Sequence, residues 1–264
     1  HMRFLLAKGS LYKVYNGNLL YHGCIPLNED GTFRNVTLWG RTYCGKELYE
    51  VLDSYVRKGF VAVDEAERER GRVTMWYIWL HENSPLFGKD KMATFERYFL
   101  SDPETHRERK NPYYRLLEDE QVADRILAEF GLPSQGSHIV NGHVPVRQGS
   151  GESPVKCGGK VLVIDGGFSK AYQGETGIAG YTLIYNSYGL ILAAHEPFES
   201  TEAAIEKESD IHSDSIVVKR VAERKLVGDT DVGREIKEKI QDLEKLLGAY
   251  RSGAIVERFP IKGK

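Results

Sequence analysis

The stretch from Ser137 to Lys170 constrains the fold more than any other part of the chain. It contains two short apolar runs, and each one ends in a polar turn that contains glycine. Ile139-Val140 runs into Asn141-Gly142-His143, and the run from Val161 to Ile164 continues into Asp165-Gly166-Gly167. Open α/β folds place reactive groups in turns of this kind, where buried strands end. The pattern therefore predicts an α/β fold with a functional site at the ends of two buried strands.

A third turn of the same kind lies near the start of the chain. The runs 11–15 and 19–22 flank Asn16-Gly17, which predicts a hairpin with a type I′ turn. The second of these runs ends at His22-Gly23, so that His22 and His143 both occupy glycine-flanked turns after apolar runs. Imidazole is a good ligand for divalent metals, although a histidine in such a turn is more often structural than a ligand. On this context alone, both roles stay open.

The remaining patterns predict further helices and strands. Apolar residues at helical spacing predict helices over 45–58, 64–80, 89–100, 119–130, 201–208 and 229–250. Alternating or apolar runs predict strands over 3–7, 32–38, 180–185, 190–195 and 215–221. We expect Gly59 to end the first helix, and we expect Trp76, Tyr77 and Trp79 to pack in the core.

Composition narrows the class of protein. A chain of 264 residues with a net charge of -2 can form one large domain or two small ones, and it shows no sign of a nucleic-acid or membrane partner. Its three cysteines lack CxxC spacing, which argues against a disulfide framework or a zinc finger and favours a reducing cytoplasm. His1-Met2 is interpreted as a cloning scar.

Longer strings in the chain resemble a known family. The turns around His143 (NGHVPV) and Asp165 (VIDGGFSKAYQ) resemble the carboxyl-terminal motifs of the calcineurin-like metallophosphatases. The wider string from DGGFSKAYQ through YNSYGL to AAHEPF resembles class III fructose-1,6-bisphosphatase, the long bacterial form. The resemblance implies the distal half of a metallophosphatase-type mixed β-sandwich flanked by helices. It also implies a cytoplasmic, gluconeogenic hydrolase that converts fructose 1,6-bisphosphate to fructose 6-phosphate and phosphate.

The resemblance also implies roles for individual residues. His22 and His143 would bind one ion of a dinuclear manganese centre, with Asp165 and Gly142 supporting the ligands. A bisphosphate needs fixed cations, and the candidates are Lys170 first, then Arg147, Lys89 and Lys91. No catalytic residue is assigned within this chain.

The chain departs from the family pattern in one respect. The Asp-x-His, Gly-Asp-x-x-Asp-x-x-Gly and Gly-Asn-His motifs that precede the first histidine in metallophosphatases are absent upstream of His22. We therefore expect a carboxyl-terminal portion, in which 3–228 belongs to the metallophosphatase domain and the helix and tail of 229–264 pack on that domain. Such a chain should be inactive alone, and its partners would be the missing amino-terminal portion and, in a homo-oligomer, further copies. The alternatives are a protein or nucleotide phosphatase of the same superfamily, and a non-catalytic folding or assembly module.

Overall fold

The structure, a computed structural model, describes residues 1–166, 170–208 and 213–256. Its strands are β1 (Tyr12–Tyr15), β2 (Asn18–Tyr21), β3 (Val36–Leu38), β4 (Arg41–Tyr43), β5 (His138–Asn141), β6 (Val155–Lys156), β7 (Val161–Val163), β8 (Gly180–Asn186), β9 (Gly189–His195) and β10 (Ser213–Arg220). Its helices are α1 (Met2–Lys8), α2 (Gly45–Val61), α3 (Glu65–Leu80), α4 (Thr94–Phe99), α5 (Tyr113–Leu116), α6 (Glu120–Glu129), α7 (Lys170–Thr176), α8 (Thr201–Glu206) and α9 (Asp231–Arg251). This mixture of helices and strands confirms the predicted α/β class.

The main sheet has the strand order β1-β2-β5-β7-β6, and its three central strands run parallel to one another. Leu19 lies opposite Ile139, and Ile139 lies opposite Val161 in the next strand. Because β2, β5 and β7 are parallel neighbours, their carboxyl ends meet at one edge of the sheet. The three turns singled out in the sequence therefore follow strands that end side by side.

The hairpin that begins the sheet forms as predicted. Asn16 and Gly17 both have positive φ, 51° and 76°, as a type I′ turn requires. The turn also anchors a distant element, because the Asn16 amide donates to the Asp231 carboxylate at 2.7 Å. The Asp231 amide donates in return to the Asn16 side-chain oxygen at 3.0 Å. This reciprocal pair ties the start of α9 to the sheet.

A second sheet, in the order β10-β9-β8, is antiparallel throughout. Its hairpin of β8 and β9 forms where the sequence predicts it. Tyr181, Leu192 and Ala194 from this sheet belong to the same buried cluster as Leu19 and Ile139 of the main sheet. Both sheets therefore contribute to one hydrophobic core.

Aromatic side chains fill the part of the core between the main sheet and helices α2, α5 and α6. Tyr49 packs edge-to-face against Tyr12, Tyr21 and Phe130. The buried hydroxyls of Tyr21 and Tyr113 are 2.6 Å apart and hydrogen-bond to each other. Since Tyr21 is the last residue of β2, this contact helps to hold the strand end that precedes His22.

Helix α2 does not end at Gly59, so that prediction is wrong. The helix continues to Val61, because Gly59 packs against Gly71 of α3. A Cβ placed on Gly59 would lie 2.5 Å from the Gly71 Cα, closer than real Cβ contacts allow. Gly59 therefore permits a close contact between α2 and α3 and does not end the helix.

Two further expectations from the sequence are wrong. Trp76 and Trp79 are both 67% exposed, because α3 buries Gly71, Thr74 and Ile78 and the two tryptophans lie away from that face. Tyr77, the third aromatic residue of this expectation, does pack against a buried cluster that includes Ile78. Residues 3–7 form part of helix α1 and not a strand, and α1 buries none of its residues. A helix satisfies its backbone groups without a neighbouring strand.

Helix α9 forms where it was predicted, but its packing differs from the expectation. Within the described residues, it buries only Gly233, and its apolar stripe is exposed. The expected packing of this helix along the same domain is therefore not seen beyond its first turn. Among the described residues, none of the helices combines the length and the hydropathy that a bilayer span needs.

Candidate metal centre

His22 and His143 meet at the carboxyl edge of the main sheet. His22 follows β2 directly, and His143 lies two residues after β5. Although 121 positions separate them, the Nε2 atom of His22 is 3.2 Å from the Nδ1 atom of His143. This is within the distance of roughly 5 Å that two ligands of one ion require.

The backbone holds the two turns together. The Gly142 amide donates to the His22 carbonyl at 2.9 Å. A Cβ on Gly142 would lie 3.3 Å from the Asp165 Cβ, so Gly142 allows the turn after β7 to approach. His143 itself has a φ of 69°, in the left-handed region that non-glycine residues seldom occupy. Strained backbone of this kind is often found at functional sites.

Burial sets the charge state of His143. It lowers the pKa of this imidazole to about 4, and the nearby His22 and Lys89 lower it as well. The Phe87 carbonyl and Asp165 offset part of this shift. The ring is therefore neutral near pH 7, as a metal ligand must be. The Nε2 atom of His143 is buried, and no contact to it meets the usual distance and angle criteria for a hydrogen bond.

The geometry of the two rings fits a shared ion. Two nitrogens that each lie about 2.0–2.1 Å from a metal are separated by roughly 2.8–3.4 Å when the angle between them is about 90–109°. The observed 3.2 Å lies in this range, and it also suits a hydrogen bond between the rings. Within residues 1–166, 170–208 and 213–256, no group of three or more His, Cys, Asp or Glu side chains could hold a metal. The described residues thus provide a two-histidine half-site.

An open groove of about 480 Å³ adjoins the histidine pair. Its lining includes both histidines, Gly142 and Asp165. Among the described residues, Lys13 is the only lysine or arginine in that lining. It is an exposed residue of β1 that the sequence did not single out. The alternation of buried and exposed residues in this four-residue strand predicts only that Lys13 is exposed, as most surface lysines are. It therefore gives no sign that Lys13 lines a groove.

The candidate cations Lys89, Lys91 and Arg147 do not line this groove. Lys89 is paired with Glu108 at 3.1 Å, and Lys91 donates to the Thr105 carbonyl at 2.7 Å. Arg147 is exposed. For Lys170, only the backbone at the start of α7 is described, and its side chain lies outside the described residues, as does Gly167.

Lys110 is a further cation, opposite Lys89, that sequence reasoning missed. It lies opposite Lys89 in an antiparallel bridge, so the two side chains share a face. Burial lowers the pKa of Lys110, and the positive charges of Lys89 and Arg147 lower it further. Glu152 and Glu108 offset part of this effect on Lys110. Of these three cations, Lys89 is the one whose charge also lowers the pKa of His143.

Comparison with known proteins identifies the family. The family model described as Firmicute fructose-1,6-bisphosphatase matches residues 1–252. The chain belongs to this family. A relative from Clostridium novyi (strain NT), named fructose-1,6-bisphosphatase class 3, is 54% identical over 259 residues. A protein of the same name from Clostridium botulinum (strain Loch Maree / Type A3) is 57% identical over 258 residues.

The matches cover nearly all of this chain but a minor part of each relative. The match to the Clostridium novyi protein spans 98% of this chain and 39% of that protein. The match to the Clostridium botulinum protein spans 97% of this chain and 39% of that protein. No solved structure matches the chain. The resemblance stated from DGGFSKAYQ and AAHEPF is confirmed by these findings.

Proposed function

We propose that this chain contributes His22 and His143 as two ligands of one metal ion in a fructose-1,6-bisphosphatase, of which it forms the carboxyl-terminal portion. The observation that carries the proposal is the 3.2 Å approach of the two ring nitrogens at the ends of parallel strands. Membership of this family supports fructose 1,6-bisphosphate as the proposed substrate, with fructose 6-phosphate and phosphate as the proposed products of a gluconeogenic step. The corresponding fold would be part of a metallophosphatase-type sandwich.

The residues of the chain would act by binding and positioning. A bound divalent ion, for which we propose Mn²⁺, would polarise a phosphoryl oxygen and activate water. His143 is held neutral by burial, so one of its ring nitrogens carries a free lone pair at neutral pH, and its Nδ1 atom faces His22. Gly142 allows the turn that carries Asp165 to approach the turn of His143. Lys13 lines the groove, with its ammonium 5.2 Å from the centre of the Tyr15 ring. Lys89, Lys91, Arg147 and Lys170 remain proposed contacts for the phosphates of the substrate.

A chimera tests this proposal. The corresponding segment of the Clostridium novyi relative would be replaced by this chain, which is 54% identical to it. The chimera should release phosphate from fructose 1,6-bisphosphate with Mn²⁺ present, whereas the 264-residue chain alone should show negligible turnover. His22→Ala and His143→Ala should each weaken Mn²⁺ binding, measured by calorimetry, and abolish turnover at limiting metal.

The matched control is His195→Asn. His195 lies in the second sheet, where its ring contacts the Thr182 and Ser213 hydroxyls, both at 2.8 Å. Its replacement should leave Mn²⁺ affinity unchanged. Wild-type Mn²⁺ affinity in both His22→Ala and His143→Ala, with the fold intact, would refute the metal assignment.

A non-catalytic folding or assembly module is the second candidate. It is favoured by the absence of a third potential metal ligand among the described residues. In that case, the chimera would hydrolyse the substrate whether or not the two histidines were present, and the chain would contribute only binding and packing. The histidine variants of the chimera therefore distinguish the two functions.

A further inference from the structure

Helix α9 exposes a continuous apolar stripe. Seven of its apolar side chains are 42–63% exposed: Val232, Ile236, Ile240, Leu243, Leu246, Leu247 and Tyr250. The helix is held to the rest of the chain at its first turn, through Asp231 and Asn16. A contiguous apolar surface of this kind is unfavourable in water and usually marks an interaction site.

The spacing of the stripe is that of a coiled coil. Steps of four, three, four and three residues separate its core positions, which are Ile236, Ile240, Leu243, Leu247 and Tyr250. In heptad notation these are d, a, d, a and d. Isoleucine at an a position followed by leucine at d, as in Ile240 and Leu243, favours two parallel strands. The stripe thus has the pattern that a second copy of the same helix would complement.

The flanking charges select the orientation. Lys239 occupies a g position and Glu244 the following e position, and neither makes an ion pair within the described parts of the chain. Five residues apart, they do not face each other on their own helix. In a parallel, in-register pair, each Lys239 would face Glu244 of the second copy. The antiparallel register that layers Leu243 against Leu247 would instead place the two Glu244 side chains together.

We propose that α9 pairs with α9 of a second copy as a parallel, two-stranded coiled coil, which makes the chain a homodimer. This inference does not depend on the proposed metal site. All five core layers are kept in this register, and two Lys239–Glu244 pairs flank them. With little more than two heptads, the dimer should dissociate on dilution.

Sedimentation equilibrium of the 264-residue chain over a concentration series tests the proposal. The chain should sediment as a reversible monomer–dimer system, and Leu243→Lys should sediment as a monomer. Lys239→Glu should raise the dimer Kd about tenfold, because both cross-helix pairs become repulsive. The double variant Lys239→Glu/Glu244→Lys should return the Kd to within about threefold of the original, since the swap restores attraction.

Lys245→Glu is the matched control, because it makes the same charge change at an f position, away from the seam. It should leave the Kd unchanged. A chain that is monomeric at every concentration, or a dimer that Leu243→Lys does not weaken, would overturn the proposal. Failure of the charge swap to rescue Lys239→Glu would overturn the parallel register. Far-UV circular dichroism of each variant shows whether α9 remains helical.

Discussion

The contact between α2 and α3 at Gly59 and Gly71 makes a quantitative prediction for Gly71→Ala. A Cβ on Gly71 would lie 2.6 Å from the Gly59 Cα and 3.3 Å from the Tyr55 carbonyl oxygen. Carbon atoms prefer a separation of about 3.5–4.0 Å, so the two helices would have to move apart by about 1 Å. Both clashing groups are backbone atoms, which cannot turn aside as a flexible side chain can.

The magnitude follows from two opposing effects. Overpacking of this kind costs about 1–3 kcal/mol, while replacing glycine by alanine inside a helix returns about 0.8–1.0 kcal/mol. Gly248→Ala is the matched control, because a Cβ on Gly248 in α9 would meet nothing within 4 Å. The control should be stabilised by about 0.8–1.0 kcal/mol. Gly71→Ala should therefore be less stable than Gly248→Ala by about 1–3 kcal/mol.

Urea unfolding followed by circular dichroism and tryptophan fluorescence measures both free energies of unfolding. Two of the three tryptophans, Trp76 and Trp79, lie on α3, so the fluorescence includes a signal from the helix whose packing is altered. Equal m-values for the two variants would show that they differ in stability and not in the surface exposed on unfolding. If Gly71→Ala proved as stable as Gly248→Ala, the close approach of the two helices would be refuted.

Three further predictions follow from the core, the sheet and the groove. Tyr113→Phe should lower the free energy of unfolding by about 1–3 kcal/mol, because it leaves the buried Tyr21 hydroxyl without its partner. In urea unfolding, the Tyr21→Phe/Tyr113→Phe double variant should lose less stability than the sum of the two single variants. Because burial lowers the pKa of His138, the unfolded chain binds a proton below about pH 6.5 that the folded chain does not, so stability should fall as the pH drops below that value. His138→Gln should make this decline shallower in unfolding curves, and parallel slopes would contradict the assignment. In the chimera, Lys13→Ala should raise the KM for fructose 1,6-bisphosphate about 10- to 100-fold by removing one charge-assisted contact, and an unchanged KM would place the phosphates elsewhere.

The sequence by itself determined the local features of this protein. Asn16-Gly17 specified its turn because both positions need positive φ, which these residues adopt at low cost. Asp64 and Asp119 begin their helices by accepting amide hydrogen bonds, because a carboxylate at this position satisfies amides that have no partner within the helix. The turns containing His22 and His143 were recognisable because apolar runs stop at glycine and histidine. Parallel strands then bring these ends together.

Only the tertiary structure decided which surfaces of these elements are covered. Glycine is a residue type that often ends helices, but Gly59 lies inside α2, where it packs against Gly71 of the neighbouring helix. Trp76 is exposed because the face of α3 that meets the core is set by its glycine contact and not by its most apolar residues. Lys13 became a groove residue only when β1 and β2 paired. Local conformational preferences depend on residues that are neighbours in the sequence, whereas burial depends on which distant segment packs against an element. The sequence pattern of one element does not contain that information.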